Sequence, residues 1–255
     1  MLFRSAAAAG VSARPVASRS AADQPLGADQ QRVLEALQAS HGFSVSVLHG
    51  VTGSGKTEVY LEALRHAVEQ GRRGIVLVPE IALTPQTVRR FAERFPGRVG
   101  VLHSGLSAGE AYDEWHATAS GACDVVIGSR SAIFAPQPDL GLIVIDEAHE
   151  WTYKQSDPAP RYDARTVAAR LATLTGAALV YGTATPDAER WYAAAEGDLE
   201  RLDLPRRFRP VAQPDGRTTM WPAADLPPVE VVDVRGERQL FSEPDRKSTR
   251  LNSSH

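Results

Sequence analysis

A single cysteine, Cys123, stands in a chain of 255 residues, so this segment can close no intrachain disulfide and can build no zinc site from cysteines. A reducing, cytoplasmic setting fits that composition. No apolar run approaches the roughly 20 residues that a membrane-spanning helix needs, so no membrane partner is expected. Strong charge of either sign is also missing: the formal net charge is −3, which leaves no global basic surface for nucleic acid. Any such contact has to be local. What is present is hydrophobic material, 43% of the residues, enough for one well-buried domain or one domain and the start of another.

The two ends stand apart from this. Residues 1–25 are rich in Ala, Ser and Arg and poor in acids, a composition shared with organelle transit peptides but better read as a linker. Residues 245–255, DRKSTRLNSSH, and residues 1–5, MLFRS, read as translated sequencing-adaptor sequence and are set aside from fold reasoning. The expectation is a fragment of a longer protein.

Residues 26–204 alternate short, β-branched apolar runs with longer amphipathic segments, which predicts an α/β fold with a mainly parallel sheet flanked by helices. The runs fall at 45–48, 75–78, 99–102, 125–127, 142–145 and 178–181. Thr84-Pro85 and Thr185-Pro186 each place a capping hydroxyl before a proline at a first helical position. Residues 205–228 hold six prolines and little periodicity, so 205–244 reads as a proline-rich linker and the start of a further region, with one more strand at 229–234.

Each apolar run is followed at once by a small, polar or charged cluster: HGVTGSGKT, PEIALTP, HSG, GSRSAIF, DEAHEWTYK and GTATP. In an open parallel sheet these clusters emerge along one edge, where ligands bind in doubly wound folds.

Residues 50–57, GVTGSGKT, match the phosphate-binding pattern G-x-x-x-x-G-K-[ST] between a strand and a helix. Gly50, Thr52, Gly53, Ser54 and Gly55 let backbone N–H groups converge on phosphate oxygens, and the following helix N-terminus adds partial positive charge. Lys56 would reach the β- and γ-phosphates of ATP, and the Thr57 hydroxyl would ligate Mg²⁺. A chance match arises in roughly one chain in a hundred of this length, before the strand and helix flanks are required. Asp146 ends the run LIVI, where an acidic residue is placed to hold the metal. Glu147 can polarise the attacking water. With His149 closing the DEAH run, Lys56, Asp146, Glu147 and His149 form the expected catalytic set. Gln30, upstream of the loop, is either an adenine-reading amide or a surface glutamine. Cys123 and His116 read as a buried thiol and a surface imidazole.

A phosphate loop with an acidic box could serve a small-molecule kinase or a non-hydrolysing nucleotide-binding scaffold. The remaining clusters discriminate. Gly182, Thr183 and Thr185 of GTATP have the form of the element that couples the two halves of helicase cores. GVTGSGKTEVYLEAL, VPEIALTPQT, VLHSGLSAGE, VIGSRSAIFAP, VIDEAHEWTYKQ, RYDAR and GTATP, in this order and spacing over residues 26–204, resemble the primosomal protein N′ (PriA) family of superfamily two replication-restart DNA helicases. The chain has DEAH where many members have DEEH and GTATP where many have GSATP, and its proline-rich exit at 206–228 is less typical.

The resemblance implies a RecA-like ATP-binding lobe of a 3′ to 5′ helicase acting on single-stranded and forked DNA with primosome and replication-restart proteins. It places Thr84, Gly105, Ser129 and Arg130 on the DNA side, and Trp151, Tyr153 and Lys154 in an aromatic-rich loop that couples DNA to the ATP site. It also implies that the second lobe, the DNA-binding domains and a cysteine-rich zinc module lie outside this chain, so zinc is expected only there.

Overall fold

The structure, a computed structural model, describes residues 26–39, 42–212 and 218–222. The expectations for residues 1–25, 229–234 and 245–255 lie outside the described residues.

All six apolar runs form strands: β1 (Ser44–Gly50), β2 (Arg73–Leu77), β3 (Val99–Leu102), β4 (Val125–Gly128), β5 (Leu140–Ile145) and β6 (Ala178–Thr183). A further strand, β7 (Glu200–Leu204), completes a seven-stranded sheet of order β3-β4-β2-β5-β6-β1-β7. Every pairing in it is parallel. β7 is absent from the expected set because ERLDL buries only Leu202 and Leu204. An edge strand with one wet face shows no continuous apolar run.

The helices are α1 (Ala28–Ala39), α2 (Lys56–Glu69), α3 (Pro85–Arg94), α4 (Ala108–Ala119), α5 (Ala164–Thr175) and α6 (Ala188–Glu196). Strand side chains alternate between two cores. Leu48, Val76, Val144 and Val180 pack under α1, α2 and α3 with Leu34, Val59, Leu64 and Phe91. Val47, Ile75, Ile143 and Leu179 face the other way, against the alanine stripe Ala164, Ala168 and Ala172 of α5. Each such side chain contributes about 1.5–3 kcal/mol on burial, and a slip by one residue would exchange the two faces. The register is therefore firmly set, and with it the positions of the loops.

Thr84 caps α3 as expected, accepting from Thr87 N at 3.2 Å, with Pro85 at the first helical position. The second expected start is corrected. Asp187, not Thr185, caps α6, accepting from Arg190 N at 2.9 Å, because a carboxylate is the stronger partner for a helix N-terminus and Thr185 is left in the bend before it. The proline-rich stretch is corrected in part as well: β8 (Phe208–Ala212) and β9 (Thr218–Pro222) pair antiparallel, Phe208 opposite Pro222. Both strands of a two-stranded ribbon are edges, where proline's missing N–H can be tolerated. Among the described residues no helix is long and apolar enough to cross a membrane.

Candidate active site

Because the seven strands are parallel, the six sequence clusters do leave the sheet on one edge. β1 ends at Gly50, and the phosphate loop turns into α2 through Gly55, whose φ of +79° is a left-handed conformation that glycine alone adopts at little cost. Lys56 starts α2. Its ammonium is buried, donates to the Gly50 carbonyl at 2.9 Å and lies 3.7 Å from Glu147 Oε1. Thr52 and Gly53 stand exposed at the rim, and Thr57 is half-buried in the first turn of the helix. Ser54 Oγ is buried without a hydrogen-bond partner, an unsatisfied polar atom inside the loop. A loop with a buried cation, an unpaired hydroxyl and a helix N-terminus fits a nucleotide's phosphates.

Gln30 is not a surface residue. It is 6% exposed, its Nε2 donates to the carbonyls of Ser54 (3.3 Å) and Gly55 (3.2 Å), and its Oε1 accepts from Gly27 N at 2.8 Å. The amide ties α1 to the phosphate loop.

Asp146 follows β5, its N–H donating to Leu77 O at 2.8 Å. Burial, and then the Glu147 charge beside it, push its carboxyl up to about 6; Lys56 and a hydrogen bond from Tyr60 pull the other way. Tyr60 Oη donates to Asp146 Oδ1 at 3.0 Å. Glu147 takes a positive φ of 45°, as Asp139 does at 50°, a conformation that costs a non-glycine residue about 1–3 kcal/mol. A cavity of about 270 Å³ opens here, lined by Thr57, Tyr60 and Asp146 and, from α3, by Gln86, Thr87 and Arg90. A smaller one of about 150 Å³, near His66, Arg72 and Gly176, touches none of these residues.

The acidic box is tied to its neighbours by further bonds. His149 Nδ1 and Thr183 Oγ1 share a hydrogen bond of 2.9 Å, and Thr183 Oγ1 also accepts from Thr185 N at 3.0 Å. Ala148 N donates to Gly182 O at 2.9 Å, and Arg165 Nη1 donates to Ala148 O at 3.1 Å. Thr183 is buried and Thr185 exposed, so the GTATP segment reaches from the box to the surface.

The candidate DNA residues divide. Thr84, Gly105, Trp151 and Lys154 are exposed at the rim, Trp151 at 74%. Tyr153 is a correction. It is 1% exposed and its hydroxyl donates to Asp146 O at 2.6 Å, so it cannot stack on a base. The short 3₁₀ turn Trp151–Tyr153 sends one ring outward and packs the other into the core. Ser129 is buried, and Arg130 is committed to the same turn through a 2.9 Å bond to Thr152 O, with Tyr162 beside its guanidinium. Ser129 and Arg130 thus sit deeper than the four exposed residues, and Arg130 Nε is buried without a hydrogen-bond partner. Sequence reasoning missed Tyr60 and Arg165 as supports of the box; both lie inside runs it had singled out, GKTEVY and RYDAR.

The fold and the site define a P-loop nucleotide-binding lobe whose acidic box is bonded to rim loops on the same sheet edge. A family model described as DEAD/DEAH box helicase matches residues 28–191, and the chain belongs to that family. It is 44% identical over 222 residues to the replication restart protein PriA of Synechocystis sp., covering 84% of this chain and 25% of the relative. It is 43% identical over 226 residues to replication restart protein PriA of Bacillus subtilis, covering 86% of this chain and 26% of that one. The resemblance read from the motifs is thus borne out. RecG bound to a three-way DNA junction superposes with a TM-score of 0.53 at 25% identity, covering 71% of this chain and 24% of that chain. The chain spans about a quarter of the length of the curated relatives it matches.

Proposed function

We propose that residues 26–204 are the first motor lobe of an ATP-dependent 3′ to 5′ DNA helicase acting in replication restart in the cytoplasm, and that residues 205–244 lead toward the next region. Bound Mg-ATP would supply the phosphoanhydride to be cleaved and a divalent charge to offset the charge that develops on its phosphates. Lys56 and the loop amides bind and orient the phosphates, Thr57 and Asp146 hold the cation, and Glu147 orients a water and accepts its proton. Thr84, Gly105, Trp151 and Lys154 contact single-stranded or forked DNA, the first two at its phosphates. The whole protein would work with primosome and replication-restart proteins, and zinc is expected only outside this chain.

The observation that carries this reading is the pair of connections at the box. His149 bonds Thr183 of the coupling segment, and Asp146 O accepts from Tyr153 two residues after the exposed Trp151. A small-molecule kinase or a passive scaffold needs neither. The test is ATP turnover of the intact protein with and without single-stranded DNA: strong stimulation, abolished by Lys56→Ala, is the expected result. Turnover indifferent to DNA overturns the helicase reading and leaves only the nucleotide site.

The split between the two aromatic rings makes a second expectation. Trp151→Ala should weaken single-stranded DNA binding by about 1–3 kcal/mol, measured by fluorescence anisotropy, with no change in melting temperature. Tyr153→Phe should leave DNA affinity alone and cost roughly 1 kcal/mol of stability, since it removes one buried hydrogen bond. The reverse pattern would reject the assignment of Trp151 to the DNA side.

A further inference from the structure

Thr57 and Asp146, the pair proposed above to hold the cation, belong to different elements, one to the first turn of α2 and the other to the end of β5. Tyr60 lies three residues beyond Thr57, which places both side chains on one face of α2, and both line the cavity beside Asp146. The Tyr60 ring is buried at 1% exposure, and its hydroxyl bonds Asp146 Oδ1 at 3.0 Å. A phenylalanine would fill the same volume; only the hydroxyl reaches the carboxylate.

Room for that hydroxyl comes from a third element. A Cβ on residue 182 would lie 1.6 Å from Tyr60 Oη and 2.8 Å from Tyr60 Cζ, so only glycine at the end of β6 admits the phenol where it stands. Gly182 also accepts the Ala148 N–H, so the segment that makes the space is bonded to the acidic box itself.

We infer that Tyr60 is a positioning residue for the metal site: its phenol sets the orientation of the Asp146 carboxylate relative to Thr57, and Gly182 keeps the space this requires. The inference rests on Thr57 and Asp146 being the metal-holding pair. A donor that orients a metal ligand typically changes metal affinity by about 10- to 100-fold.

The experiment is a titration of the intact protein with a fluorescent ATP analogue, without Mg²⁺ and across a MgCl₂ series. Tyr60→Phe should leave Mg²⁺-free nucleotide affinity unchanged and raise the half-saturating Mg²⁺ concentration by about tenfold. Gly182→Ala should do the same by displacing the phenol, and should cost less when introduced into the Tyr60→Phe chain than into the parent, because the nearer colliding atom, Oη, is gone and only the 2.8 Å approach to Cζ remains. Equal loss of nucleotide affinity with and without Mg²⁺ in Tyr60→Phe would show that the hydroxyl serves the fold alone and overturn the inference. An unchanged Mg²⁺ requirement overturns it too, leaving the nucleotide site intact. If the parent chain binds the analogue but shows no Mg²⁺ dependence, the metal pair itself is wrong and the inference falls with it.

Discussion

Glu147→Gln should lower ATP turnover of the intact, DNA-stimulated protein by about 10² to 10⁴-fold, the range that a positioned general base supplies. Nucleotide affinity should be retained or strengthened. Glu147 Oε1 lies 3.7 Å from the buried Lys56 ammonium, so neutralising the carboxylate leaves that ammonium freer to meet phosphate oxygens. The amide is nearly isosteric, and the Glu150 N to Glu147 O bond of 2.8 Å that closes the following turn is a backbone bond. The strained conformation should therefore survive the substitution. Lys56→Ala separates cleanly from this, since it should lose binding as well as turnover. Single-turnover hydrolysis beside equilibrium nucleotide binding distinguishes the two. A loss of only a few-fold in Glu147→Gln would remove Glu147 as the base.

The parts of this site that were legible in the sequence are those where one short loop does the whole task. The phosphate loop needs its glycines, lysine and hydroxyl next to one another, and the acidic box needs two carboxylates at a strand end, so both appear as contiguous strings. The parallel sheet was legible for a similar reason: strands buried on both faces are continuous apolar runs. Contacts across the fold leave no such trace. Tyr60 meets Asp146 across 86 positions, and the space for it depends on a glycine 36 positions beyond Asp146.

Residue type alone also misled at two kinds of place. Trp151 and Tyr153 look equivalent in the sequence, two aromatic residues in the same short run with one residue between them. Which ring is buried is decided by the direction of a three-residue turn and by the packing of Tyr153 into the core beside α5. Arg130 reads in the sequence as an open guanidinium, whereas the structure half-buries it and bonds its Nη1 to Thr152 O. In the proline-rich exit, the prolines concealed a ribbon because propensity speaks against strand interiors and not against edges.

The carboxyl raised to about 6 at Asp146 carries the last expectation, for stability and not for catalysis. Its ordinary value is 3.8, so the folded chain holds this proton more tightly than the unfolded one. The sign follows: the folded state is unpenalised below about pH 4, and stability is lost as pH rises toward 6, where the buried group must ionise. A gap of this size corresponds to a ceiling of about 3 kcal/mol at neutral pH. Asp146→Asn removes the ionisation and still offers an oxygen to the Tyr60 phenol. It should therefore stabilise the chain by about 2 kcal/mol, or roughly 5 °C in melting temperature, near pH 7.5. At about pH 4 the gain should nearly vanish. The same substitution should abolish the Mg²⁺ dependence of nucleotide binding, as expected where a charge needed for function is held in the interior at the expense of stability. Thermal melts of both chains at several pH values check it. A shift of the same size at every pH would mean that the amide acts through packing, and that the carboxylate at Asp146 is not held under strain.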